Sequence, residues 1–307
     1  MNTQLPNLKH LAFGGAGAVE NADTIELVKQ SMSQCLHSLN DAEVHNKFLQ
    51  KYLTWIKASK LNELVGLDAY KTASFSAGTT ESFDKFYMKN RTRRFRIFRG
   101  EYMYHAGTWK NGWTWAYMDQ DQLDSNDAVI ISLPFSDTGG VHSLTQETLD
   151  ECYKLGVPVL IDCAFYGLCN DIYFNLDHPA ITDVTFSLSK SLPASHLRIG
   201  MRLTKFDDDD SLLIYNKSGY VNRFSAAVGI EILDRITADT NWQQWHPEQL
   251  QFCKELGITP SNTVIFGLDQ TGEFQQYSRG GDTNRLCFYR HMGKDQFKNI
   301  KDVDSVV

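Results

Sequence analysis

The chain has no CxxC pair, and none of its six cysteines stands at a ligand-like spacing from a histidine. Cys35, Cys152, Cys163, Cys169, Cys253 and Cys287 are scattered, which reads as reduced thiols in a cytosolic protein. No run approaches the ~18 apolar residues of a membrane span, and no charged-then-apolar leader opens the sequence. A surplus of positive charge is also missing. Thirty basic residues against 37 acidic ones leave a net charge of −7, which gives no support for binding to nucleic acid or an anionic membrane. There is no internal repeat. The acidic run Asp207–Asp210 has no EF-hand spacing after it, so a solvated turn is expected there and no metal. These absences describe a soluble, cytoplasmic protein.

With 307 residues, 42% of them hydrophobic, the chain can bury a substantial core. Its length suggests one large and one smaller domain. The first ~60 residues read as mainly helical (Thr24–Leu39, Ala42–Lys57). Candidate strands follow at Thr72–Phe75, Arg94–Phe98, Ala128–Leu133, Val157–Ile161, Asp183–Leu188 and Arg198–Leu203. Helices are expected at Thr80–Met88 and at Thr145–Leu155, the latter stopping at Gly156. Strands alternating with helices of these lengths imply parallel βαβ units, so the ligand belongs beyond the carboxyl ends of the strands. From about Asn241 a separate small lobe is expected.

The segment Phe186-Ser187-Leu188-Ser189-Lys190, with Arg198-Ile199-Gly200 shortly after, places a lysine beyond a strand, near two hydroxyls and an arginine. An amine in such company suits a Schiff base beside a phosphate; an ordinary surface lysine in a serine-rich turn is the other reading. After Thr72–Phe75 comes Ser76-Ala77-Gly78-Thr79-Thr80-Glu81-Ser82, either a phosphate cup at a helix start or a plain capped helix. Gly100-Glu101-Tyr102-Met103-Tyr104-His105 offers an aromatic at a strand end, as core or as a platform for a ring. The arginines before it (Arg91, Arg93, Arg94, Arg96, Arg99), interleaved with Phe95, Ile97 and Phe98, read as a half-exposed strand rather than a nucleic-acid surface. Pro134-Phe135-Ser136-Asp137-Thr138-Gly139-Gly140 is a small polar turn. Asp162, closing the run Val157–Ile161, needs a cation; a protonated pyridine nitrogen or a structural arginine would serve.

Together these elements, over about residues 70–205, resemble the class I/II aminotransferases of fold-type-I pyridoxal-phosphate (PLP) enzymes. The resemblance implies a mostly parallel seven-stranded α/β sheet sandwiched by helices, with a reduced small domain. The large cofactor domain would span 61–240, and the small domain would draw on 1–60 and 241–307. Lys190 then corresponds to the lysine that binds the cofactor as a Schiff base, and Asp162 to the carboxylate on its pyridine nitrogen. Ser187 and Arg198 match the phosphate ligands, and Ala77, Gly78 and Thr79 the phosphate loop. Tyr102 fits the ring-stacking aromatic, with Tyr104 as the alternative. Arg285, in Asn284-Arg285-Leu286-Cys287-Phe288, matches the clamp on the substrate α-carboxylate, unless it is a strand-edge arginine. Gly15, in Phe13-Gly14-Gly15-Ala16-Gly17, would lie in a loop over the substrate.

Two departures stand out. The family's Asn-Pro-x-Asn-Pro-x-Gly turn is here Leu133-Pro134-Phe135-Ser136-Asp137-Thr138-Gly139, so Ser136 or Asp137 must replace the second asparagine. The family's tyrosine three residues past the aspartate is Phe165, with Tyr166 one step later. The resemblance implies transamination between an amino acid and a 2-oxo acid by a homodimer. A PLP-dependent lyase or decarboxylase of the same fold, or a non-catalytic ligand-binding descendant, are the alternatives.

Overall fold

The computed structural model describes Leu8 and residues 10–207 and 210–294. In chain order it contains α1 (Ala22–Gln34), α2 (Val44–Lys57), β1 (Glu63–Val65), β2 (Thr72–Ala77), α3 (Thr79–Lys89), β3 (Arg94–Ile97), α4 (Met103–Trp109) and β4 (Trp115–Tyr117). There follow β5 (Asp127–Ser132), α5 (Thr145–Leu155), β6 (Val159–Cys163), β7 (Tyr173–Asn175), β8 (Ile181–Ser187), β9 (Ile199–Thr204), α6 (Ser211–Lys217) and α7 (Arg223–Arg235). The last elements are α8 (Thr240–Leu256), β10 (Thr259–Pro260), β11 (Phe266–Asp269) and β12 (Asn284–Cys287).

Seven strands form the central sheet in the order β2-β9-β8-β6-β5-β3-β4. Only β9 runs against its neighbours; the other pairs are parallel. β5 and β6 are buried along their whole length, which is why they read as continuous apolar runs rather than alternating ones. The period of two still sorts their side chains between two cores. Val129, Ile131 and Ile161 join the core shared with α2, α5 and α7, whereas Ala128, Ile130 and Leu160 pack with Phe83, Phe86 and Tyr87 of α3 and Trp109 of α4. A third cluster joins Phe13 and Val19 to α8 and to the antiparallel β10-β11-β12 sheet. α1 and α2, from the segment expected to feed the small lobe, pack against α7, and α2 also against β2.

Strand direction decides what reaches the functional edge. β2, β3, β5, β6 and β8 all end on one side of the sheet. Antiparallel β9 begins there, so Arg198 arrives at that edge from the residue before a strand rather than after one.

Element boundaries moved where caps or proline intervene. α1 starts before Thr24 because Asn21 and Thr24 form a reciprocal capping box, and its expected last turn tightens into a 3-10 helix at Cys35–Ser38. β6 starts at Val159 because the Val157 N–H closes the end of α5 on the Cys152 carbonyl and Pro158 has no N–H. α5 ends at Gly156 in the left-handed region (φ +67°), as the sequence suggests. In the acidic run, Asp208 and Asp209 lie outside the described residues, while Asp210 caps α6 and pairs with Arg202.

The arginine-rich strand is not half-exposed. Arg96 is fully buried, and it and Arg94 converge on Asp127 at 2.8 and 2.7 Å. Asp121 adds a second carboxylate to both. The alternation of Arg with Phe and Ile hides this, because the pairing aspartates lie 25 or more residues on. Replacing Asp127 by Ala leaves Arg96 buried beside only the half-exposed Asp121. The loss should be about 3–5 kcal/mol, read by urea denaturation; a loss within about 0.5 kcal/mol would show that the pair is dispensable.

Candidate active site

Where the strand ends meet β12 and the 13–17 segment, the surface folds into a cavity of about 410 Å³. A wider cleft of about 600 Å³ lies beside Asp137 and His142, but neither Lys190 nor Asp162 lines it.

Asp162 sits one residue before the end of β6, in register with Ser132 of β5 and Thr185 of β8. Its carboxylate is buried, lines the cavity, and accepts a hydrogen bond from the Ala164 N–H at 3.1 Å. Among the described residues no arginine or lysine forms a salt bridge with it. Burial, followed by the nearby Glu101 carboxylate, pushes Asp162 up to about 8, against the pull of the Ala164 N–H and of Lys190. A structural arginine is therefore not what Asp162 is there for.

Lys190 follows the end of β8 by three residues, and its Nζ donates to the Ala16 carbonyl at 2.7 Å. Burial lowers its pKa from the ordinary lysine value, and the charges of Arg285 and Arg198 act in the same direction. An amine so placed loses its proton more readily than a surface lysine.

One end of the cavity is built for an anion. Gly78 adopts φ +73°, and Arg198 closes over it so tightly that a Cβ there would stand 2.3 Å from its Nη2. Arg198 is itself left-handed (φ +55°); its Nη2 donates to the Ala77 carbonyl and Thr80 Oγ1, and its Nη1 to the Ser195 carbonyl. The hydroxyls of Ser187 and Ser189 lie 2.6 Å apart, and Thr79 opens α3 with the helix N-terminus facing the same space. Ala77 stands behind this cup: its carbonyl holds Arg198, and its N–H donates to Glu81.

The walls are aromatic. Tyr102 lines the cavity, with Tyr104 stacked against it at 5.8 Å and 16° and directed toward Asp84, so Tyr102 is the residue that faces the space. Phe165 lines the cavity and packs on Phe266. Tyr166 is not brought there. Its hydroxyl donates to the Ile56 carbonyl inside the main core, because the residue after Phe165 turns toward the opposite side of the chain.

Opposite the anion cup, buried Arg285 on β12 donates from Nη1 to the Ser136 carbonyl and from Nη2 to the Gly15 carbonyl, and stacks on Phe266 at 4.3 Å. Its Nε has no hydrogen-bond partner among the described residues. Burial and the charge of Arg279 bring its pKa down to about 9. No carboxylate pairs with it among the described residues, so the space beside it suits an anionic group. Gly15 and Ala16 form part of the cavity wall. Of the two candidates in the altered turn, Ser136 lines this cavity, while Asp137 lines the wider cleft.

Two residues here escaped sequence reasoning. Glu101, buried beside Tyr102, accepts from both the N–H and the hydroxyl of Ser132. Arg279 donates to the Gly100 and Glu101 carbonyls and to Ser136 Oγ, and pairs with Asp137 at 3.3 Å. The signals available were a carboxylate next to a strand-end aromatic and an arginine before Gly280-Gly281.

No protein-family model matches the sequence, and none of the curated proteins compared with it matches significantly. Solved structures do match in shape. Histidinol-phosphate aminotransferase from Clostridium acetobutylicum is 14% identical with a TM-score of 0.63, over 95% of this chain and 97% of that one. Aspartate aminotransferase from Thermus thermophilus is 12% identical with a TM-score of 0.63, over 89% and 86%. A PLP-bound putative aminotransferase from Clostridium difficile is 10% identical with a TM-score of 0.62, over 91% and 88%. The fold is that of the fold-type-I aminotransferases. At these identities the likeness speaks for the aminotransferase fold alone, and the cavity described above lies at the carboxyl edge of its sheet.

Because Asp162 is raised above its unfolded value, the unfolded chain releases that proton first as pH rises. The ligand-free protein should lose stability between about pH 4 and pH 8 on this account. Asp162→Asn should raise the thermal midpoint at about pH 8 and change it little at about pH 4. An equal effect at both pH values in a thermal-shift series would rule out a buried, unpaired Asp162.

Proposed function

We propose that this chain is a PLP-dependent aminotransferase that moves an amino group between an amino acid and a 2-oxo acid. One observation carries the reading. A buried carboxylate that forms no salt bridge among the described residues shares a cavity with a lysine of lowered pKa, an arginine-and-hydroxyl anion cup and a flat tyrosine. PLP fits these residues group for group: a pyridinium for Asp162, a phosphate for Arg198, Ser187, Thr79 and the N-terminus of α3, an aldehyde for Lys190 and a ring for Tyr102 and Phe165. A homodimer in the cytoplasm is the proposed setting.

When bound, PLP supplies an electron sink for charge developing at the substrate Cα. The chain's residues do the rest. Lys190 would hold the cofactor through its amine, and its free Nζ would serve as general base toward the substrate Cα–H and as general acid in giving that proton back. Its lowered pKa brings the base form closer to neutral pH. Asp162 would pair with the ring nitrogen and so favour its protonated form. Arg285 holds the α-carboxylate and so fixes which Cα bond faces the ring. Tyr102 would stack on the ring and shield it from water, and Phe165 adds an apolar wall to the cavity.

Purified protein titrated with PLP should develop absorbance near ~400 nm, and borohydride should leave a pyridoxyl adduct that peptide mapping places on Lys190. Absence of both would sink the cofactor assignment. Lys190→Ala should lower transamination by about a thousandfold in a coupled assay. Arg285→Gln should raise KM for the amino acid roughly tenfold to a hundredfold. Release of CO₂ or ammonia without a 2-oxo acid acceptor would instead assign a decarboxylase or lyase.

A further inference from the structure

The turn after β5 carries serine where the resembled family carries asparagine, and the structure surrounds that serine with a network of its own. Ser136 is 2% exposed and lines the cavity. Its N–H donates to Ser132 Oγ at 2.8 Å, and the Ser132 hydroxyl donates to Glu101 Oε1 at 2.5 Å. Its carbonyl accepts from Arg285 Nη1. The backbone of residue 136 is thus fixed from both sides, with a buried carboxylate anchoring one of them.

The hydroxyl is treated differently. A serine Oγ has one proton and two lone pairs, and a guanidinium only donates. Arg279 Nη2 donates to Ser136 Oγ at 3.2 Å, which occupies a lone pair and leaves the proton to be given elsewhere. Among the described residues no hydrogen bond has Ser136 Oγ as its donor. Arg279 also lines the cavity, but its guanidinium is engaged with the protein. The carbonyls of Gly100 and Glu101 hold its Nη2 at 3.1 and 3.0 Å, and Asp137 pairs with it from the other side. A hydroxyl that accepts from a cation becomes a stronger donor, because each bond polarises the next.

We propose that Arg279 is a positioning residue that directs the Ser136 hydroxyl proton into the cavity as a donor to the anionic ring oxygen of the bound cofactor. In the resembled family the second asparagine of this turn bonds the cofactor's phenolic oxygen, and the pair would take over that bond. Phe165 heightens the need for it, since that position offers no hydroxyl. This inference rests on the PLP reading above.

The test is a pH titration of the visible absorbance of PLP-loaded protein, which follows the proton on the cofactor–lysine linkage. Donation to the ring oxygen favours the form without that proton, so Ser136→Ala should raise the midpoint by about one pH unit. Arg279→Lys, which keeps a charge but not the guanidinium fork, should raise it by less. Ser136→Asn should return it toward the parent value. An unchanged midpoint in Ser136→Ala, with the band retained, overturns the inference and leaves the cofactor assignment standing. A shift in Ser136→Ala without one in Arg279→Lys removes Arg279 from it. No band and no Lys190 adduct in the parent protein overturns both.

Discussion

A carboxyl group buried near the end of β6 sets the terms for this protein. Among the described residues Asp162 has one backbone donor and no salt bridge, and Glu101 close by makes ionisation harder still. Left alone, such a group stays protonated and contributes nothing that an asparagine would not. The proposed cofactor would give it a cationic ring nitrogen to pair with. The surroundings are consistent with that second state. Arg198 and Arg285 both line the cavity together with Asp162 and Tyr102.

Much of this was legible in the chain. Parallel strands buried on both faces leave continuous apolar runs, so β5 and β6 could be found without knowing what covers them. Once they were found, the residues just past them became candidates by topology. Lys190, Asp162, Ser187, Arg198, Thr79, Tyr102, Ser136, Phe165, Gly15 and Arg285 all line one cavity. Arg198 was the hardest of these to place by topology alone, because it precedes an antiparallel strand.

What was not legible depended on partners far away in the chain. Arg279 meets residues 100 and 101 across a separation of nearly 180 residues, and nothing local marks it as part of the site. Arg96 has the alternation of a half-exposed strand, yet it is buried because Asp127 and Asp121 return to meet it. Tyr166 could have stood in for the missing tyrosine by a one-residue shift, but its hydroxyl is already used on Ile56. Each case turns on a polar group finding its partner in three dimensions, which a linear pattern of apolar residues does not report.

The bond from Lys190 to Ala16 has a further consequence. It ties the amine to a backbone carbonyl of the 13–17 segment, which itself holds Phe13 in the C-terminal cluster and Gly15 against Arg285. Anything that engages the amine competes with that tie. The two events are thermodynamically linked: the free energy by which residue 16 resists release is the same free energy by which it discourages engagement of the lysine. The 13–17 segment and the Lys190 amine are therefore coupled through this one bond.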